Sequence, residues 1–141
     1  MSKGLSKKQF QYVEEEVRNY HETKKQLEEL RLNVITGAIH QEYRDENIGG
    51  SSSGNISNQV EQRVTLLYMD NQIQRMNKVV RAIEKVLSKL SAEDKNLVQL
   101  RYWSKHKNTW EYIAKNSYMD RATAIRHRNF LIQEIAKNMG F

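Results

Sequence analysis

Between Leu66 and Leu90 eight apolar residues recur at alternating steps of three and four: Leu66, Met69, Ile73, Met76, Val80, Ile83, Leu87 and Leu90. That period places all of them on one stripe of an α-helix, and a stripe this long needs a second helix against it. Val79 and Val86 broaden it toward its end. The chain has no proline, so no ring need break such helices. The apolar fraction of 38% is modest for a thick globular core and suits long helices packed in pairs. The predicted class is all-α.

A long helix is expected over 6–34, capped by Ser6. Phe10, Val13, Val17, Tyr20, Leu27 and Val34 recur at helical spacing, Lys24 and Arg31 interrupt them, and Leu30 widens the stripe. Glu14, Glu15 and Glu16 are read as a solvated acidic face. The pattern breaks from Thr36, and the uncharged Gly/Ser-rich run near residues 47–57 has the composition of a flexible linker. The expected layout is therefore a helix and loop over 1–46, a linker over 47–57, a long connecting helix over 58–90, and a small helical domain over 91–141 that the connecting helix orients rigidly and stabilises through Ile83 and Leu87. The two long helices are expected to fold back as an antiparallel hairpin within the chain; pairing with a second chain is the alternative.

Composition narrows the function. There is no cysteine, which excludes disulfides, thiol catalysis and cysteine-bound zinc. His21, His40, His106 and His127 lack metal-ligand spacing. Gly49 and Gly50 are followed by serines and no lysine, so no phosphate-cradling loop is present. No triad or carboxylate pair stands out. The expectation is a protein that is not an enzyme and uses no metal and no cofactor. Without a long apolar run or a signal-peptide pattern, it is expected to be soluble and cytoplasmic, away from membranes.

Net charge is +6, and it is uneven. Residues 1–58 carry eight Lys/Arg against nine Asp/Glu, whereas 101–130 carry seven against two. The positive field is concentrated where phosphate binding would use it.

In that region the spacing predicts three helices. Ser91 and Asp94 stand at capping-box spacing before a helix over 92–104 that buries Leu97, Leu100 and Trp103. After a basic loop, Asn108 and Glu111 form a second capping pair for a helix over 109–116, facing inward through Trp110, Ile113 and Ala114. Ala114 is small enough for another helix to cross there. A turn over 116–119 follows, with Met119 plugging the space between helices. Asp120 caps a last helix over 121–138, which buries Ala124, Leu131, Ile135 and Met139.

This layout is a helix-turn-helix, in which the first turns of the second helix enter the major groove of double-stranded DNA. Arg121, Ala122, Ile125, Arg126 and Asn129 are the expected base readers. Arginine matches guanine and asparagine adenine, and the apolar pair can touch a thymine methyl. Arg101, Lys105, Lys107, Lys115 and Arg128 are the expected phosphate contacts.

The segment from Leu90 to Ile135 resembles region four of sigma factors, with Thr109 to Ala124 similar to its helix-turn-helix. The whole chain is similar to phage late transcriptional regulators of the RinA and ArpU type. The resemblance rests on Tyr20-His21, the run Gln26 to Arg31 and the Asn-Ile-Gly-Gly of 47–50, ahead of a long helix and the sigma-like end. It implies a long helical hairpin followed by a sigma region-four-like unit. It further implies an activator of phage or prophage late genes for packaging and structural proteins, binding a late promoter in the host cell. The long helices would meet host RNA polymerase or a second copy, the protein being a monomer or homodimer. Whether it acts as a sigma-like factor stays open. Two departures stand out. Tyr118 occupies a turn position where glycine is usual, and His127 a usually apolar one, where it is read as a partly buried structural residue. Two other functions fit the sequence: a small-terminase-type DNA-packaging protein and a helical protein-binding adaptor.

Overall fold

The computed structural model describes residues 4–46 and 54–141, with side chains over 4–37 and 60–141. The described residues form six helices and no strand: α1 (Lys7–Arg18), α2 (Tyr20–Glu46), α3 (Gly54–Leu87), α4 (Ala92–Tyr102), α5 (Trp110–Asn116) and α6 (Arg121–Asn138). The chain is all-α. It divides into two compact units, Met1–His21 with Val79–Phe141, and Glu22–Lys78.

These units do not follow the layout read from the sequence. The helix expected over 6–34 is two helices separated at Asn19. The cause is a side-chain donor inserted into the ladder: the indole Nε1 of Trp103 donates to the Val17 carbonyl at 2.9 Å. Helix α2 runs on to Glu46, through residues assigned to a broken pattern, because the sequence there holds good helix formers and no proline. Helix α3 starts at Gly54, inside the expected linker; residues 47–53 of that linker lie outside the described residues.

In the first unit α1 packs with α4, α5 and α6 and the end of α3. Ser6 caps α1 through a full capping box, its Oγ accepting from Gln9 N–H at 3.1 Å and its own N–H donating to Gln9 Oε1 at 3.0 Å. Val13, Val17 and Tyr20 are buried, as are Val80, Ile83, Leu97, Val98, Ile113, Leu131, Ile132 and Ile135. Glu14, assigned to a solvated face, is instead at the centre of the unit. Tyr102 Oη donates to its Oε2 at 2.6 Å and Arg128 Nη1 to the same oxygen at 3.1 Å. The Glu14 and Arg128 side chains are each 14% exposed. The Arg128 guanidinium also lies over the rings of Phe10 and Trp110, 5.2 and 5.0 Å from their centroids. Burial, then the Glu14 hydrogen bond, drives the Tyr102 phenol far above its ordinary range.

The second unit is the hairpin of α2 and α3. Arg31 Nη2 donates to Asn77 Oδ1 at 2.9 Å, and a Cβ at Gly37 would meet Leu66 at 3.2 Å. Position 31 faces 77 and position 37 faces 66, so the helices run antiparallel. Gly37 sits close against the seam of α3, where a Cβ would require the Leu66 side chain to give by a few tenths of an ångström.

Removing one partner of a buried ion pair leaves the other charge desolvated. Glu14→Ala should therefore lower unfolding stability by about 3–5 kcal/mol in denaturant melts. A loss below 1 kcal/mol, the usual worth of an exposed pair, would mean that α1 does not hold Arg128 in place.

Candidate nucleic-acid interface

Three caps set the ends of the helices that form this surface. Ser91 Oγ accepts from Asp94 N–H at 3.2 Å. Thr109, and not Asn108, caps α5, its side chain accepting from Tyr112 N–H at 3.2 Å. Asn108 donates instead to the Leu100 carbonyl at 2.9 Å and ties the loop back to α4. Asp120 Oδ1 accepts from Thr123 N–H at 2.8 Å and caps α6.

Helices α5 and α6 meet at their smallest residues. Ala114 and Ala124 are buried together with Leu97 and Ile113, and Leu100, Trp110 and Met119 pack against that cluster. Two small side chains let the helices approach closely, and the flexible Met119 fills the space beside them.

The turn between them is a Schellman motif. Met119 N–H donates to the Ala114 carbonyl at 3.0 Å and Tyr118 N–H to that of Lys115 at 3.4 Å. The motif requires a left-handed residue, and Tyr118 supplies it with φ 58°. The end of α6 repeats the arrangement, with Phe141 N–H on the Ala136 carbonyl and Gly140 on that of Lys137. There glycine takes the left-handed position, at φ 96°.

The expected base readers divide. Arg121, Ala122 and Arg126 are exposed at the start of α6, and Ile125 beside them is half-buried. Arg126 donates to Thr123 Oγ1 at 3.2 Å. Arg121 Nε lies 3.1 Å from Glu111 Oε1 in an exposed pair. Asn129 is half-buried and its Oδ1 accepts from Arg128 Nε at 2.8 Å, so that oxygen is engaged within the protein. The expected phosphate contacts divide too. Lys105, Lys107 and Lys115 are exposed. Arg128 is turned inward onto Glu14, an assignment that charge counting alone missed. Arg101 is half-buried with its guanidinium 4.7 Å from the Trp110 ring centroid.

Two exposed aromatics lie at this surface. Tyr118, which the sequence marked only as a turn position where glycine is usual, is 89% exposed; Tyr112, which helical spacing does not distinguish from a core aromatic, is exposed too. His127 is exposed and not partly buried, and its Nδ1 lies 2.7 Å from Asp94 Oδ1. It joins the start of α4 to α6. Asp94 therefore does not close a capping box, since its carboxylate is directed to His127.

The described residues hold no group of three or more His, Cys, Asp or Glu placed to bind a metal ion. No helix among them is long and apolar enough to cross a membrane.

Residues 9–137 match the family described as "protein of unknown function (DUF722)", and the chain belongs to that family. No curated protein and no solved structure matches it.

A non-glycine residue in the left-handed region costs about 1–2 kcal/mol, and glycine returns part of that in chain entropy. Tyr118→Gly should therefore raise unfolding stability by about 1 kcal/mol, read by thermal melts; a loss of stability would show that the Tyr118 ring contributes packing that outweighs the strain.

The Asp120 carboxyl is held below its ordinary range, first by the Thr123 side chain, then by the Thr123 N–H, with Arg126 adding to it. A depressed folded value means that the cap's contribution is complete above the ordinary Asp range and is lost as pH falls through the folded value. In an NMR titration, protection of the first amides of α6 should persist through the ordinary Asp range and fall below it. Asp120→Asn, which keeps a capping oxygen, should remove that pH dependence.

Proposed function

We propose that this protein is a sequence-specific double-stranded DNA-binding regulator of transcription, reading its site with the first turns of α6. The observation that carries the reading is the division of α6 into two faces. Ala124, Leu131, Ile132, Ile135 and Ala136 are buried, so the helix is rigidly seated. Arg121, Ala122 and Arg126 project from its exposed start. A helix N-terminus carries a partial positive charge that favours approach to a phosphate backbone. Lys105, Lys107 and Lys115 extend the positive surface on the preceding loop and helix.

In this reading Arg121 and Arg126 read bases, while Ala122 and Ile125 meet methyl groups. The Arg121–Glu111 pair is exposed and weak, so it yields to a guanine edge at little cost. Arg128 and Asn129 serve a different role: they fix α6 against α1 and do not touch DNA. The resemblance to phage late regulators supplies the biological setting, activation of phage or prophage late genes from a late promoter in the host cytoplasm. Host RNA polymerase is the partner that such a role requires.

Footprinting on the parent phage genome would identify the site. On that site Arg121→Ala and Arg126→Ala should each cost about 1–3 kcal/mol, with a much smaller loss on random DNA. Lys105→Ala, Lys107→Ala and Lys115→Ala should weaken binding to both DNAs alike and lower the salt slope by about 1 each. Equal losses on both DNAs for the arginine variants would make those residues phosphate contacts, and the absence of any footprint would end the DNA-binding reading.

A further inference from the structure

The hairpin unit carries an apolar surface that its own fold leaves uncovered. Helix α3 presents Val60, Val64 and Leu67 at 55, 60 and 65% exposure, and α2 presents Leu32 and Ile35. Val60, Val64, Leu67, Asn71 and Gln74 follow steps of four and three. This is a second heptad stripe, turned away from the Leu66–Met69–Ile73 stripe that the first helical seam occupies. Val60, Val64 and Leu67 stand on successive turns of one face of α3, and exposed apolar side chains grouped in this way, unlike scattered ones, point to an interaction surface.

The charges beside the stripe identify its occupant. Arg63 and Asp70 flank it on one side, Glu61 and Tyr68 on the other. In an antiparallel helix pair, each flank meets the same flank of the partner in reversed order. Two copies of α3 set antiparallel, with Val64 opposite Leu67 of the second copy, put Val60 opposite Asn71. The same register brings Arg63 to Asp70 and Glu61 to Tyr68. Two-fold symmetry makes each of these contacts twice, the self-complementarity that an isologous interface requires. A parallel pair on the same stripe would keep Asp70 with Arg75 but set Arg63 against Tyr68 and Lys78 against Lys78.

We propose that the exposed Val60–Val64–Leu67 stripe of α3 is a homodimer interface, packed antiparallel on the same stripe of a second copy and closed by two Arg63–Asp70 ion pairs. The proposal stands apart from the DNA-binding reading and does not depend on it.

Sedimentation equilibrium on the full chain tests it. A dimer is expected in the micromolar range, and Leu67→Asp should make it a monomer without loss of helical circular dichroism, because Leu67 supports no core. Arg63→Asp and Asp70→Arg should each raise the dimer Kd about tenfold, since each replaces two attractions by two repulsions. Mixing the two single variants should restore association as a heterodimer, one copy then carrying both acids and the other both bases. The chain has no cysteine, so Val60→Cys with Asn71→Cys should give disulfide-linked dimers while Val60→Cys alone should not. A wild-type monomer at about 100 µM, a dimer that survives Leu67→Asp, single variants that do not pair on mixing, or cross-linking by Val60→Cys alone would each overturn the proposal.

Discussion

The Glu14 carboxylate is the interaction on which the first unit depends. One oxygen accepts from Tyr102 of α4 and from Arg128 of α6, and so three helices distant in sequence converge on it. Burying such a pair is not a large net source of stability, because the desolvation of two ions offsets most of their attraction. What the pair provides is direction. A guanidinium that must reach one buried carboxylate, while lying over Phe10 and Trp110, admits few rotations of α6 about its own axis. The residues at the exposed start of α6 are thereby aimed, and an N-terminal helix far away in sequence becomes part of the surface that carries them.

The turn before α6 shows the opposite economy. The fold needs a left-handed residue at both Schellman turns, and it places glycine at position 140 but tyrosine at position 118. Strain in a non-glycine residue persists where the surroundings over-determine it, and such positions gather at functional surfaces. Here the ring is almost fully exposed beside the start of α6, so it adds little to the core to offset that strain.

Much of the fold was legible in the sequence because its signals are local. The stripe of α3 from Leu66 to Leu87, which ends short of the expected Leu90, the caps at Ser6, Ser91 and Asp120, and the small Ala114 beside Met119 each rest on residues within one or two turns of one another. What could not be read is long-range. Glu14 looked solvated because its neighbours Glu15 and Glu16 are acidic, and nothing in the period of α1 reveals that Tyr102 and Arg128 come to it. The break at Asn19 depends on an indole from Trp103, outside any window that spacing arguments use. Arg128 was grouped with the exposed basic residues for the same reason: composition counts charges and does not say which way they turn. The second stripe of α3 was open to reading, but the stronger seam one residue round the helix concealed it.

The same contrast separates the two units in what they can do. The first has few routes to a different arrangement, since its core is closed by Trp103, Glu14 and the Ala114–Ala124 contact; its exposed groups include the arginines, lysines and tyrosines around the start of α6. The second is a two-helix hairpin, and a single pair of helices can bury only one face of each. Val60, Val64 and Leu67 remain in water at a cost of about 25 cal/mol for each Å² of apolar surface that a partner would cover. A patch of that kind, bordered by charges that complement themselves under a two-fold rotation, is what remains when a chain supplies half of an interface and leaves the other half to a copy of itself.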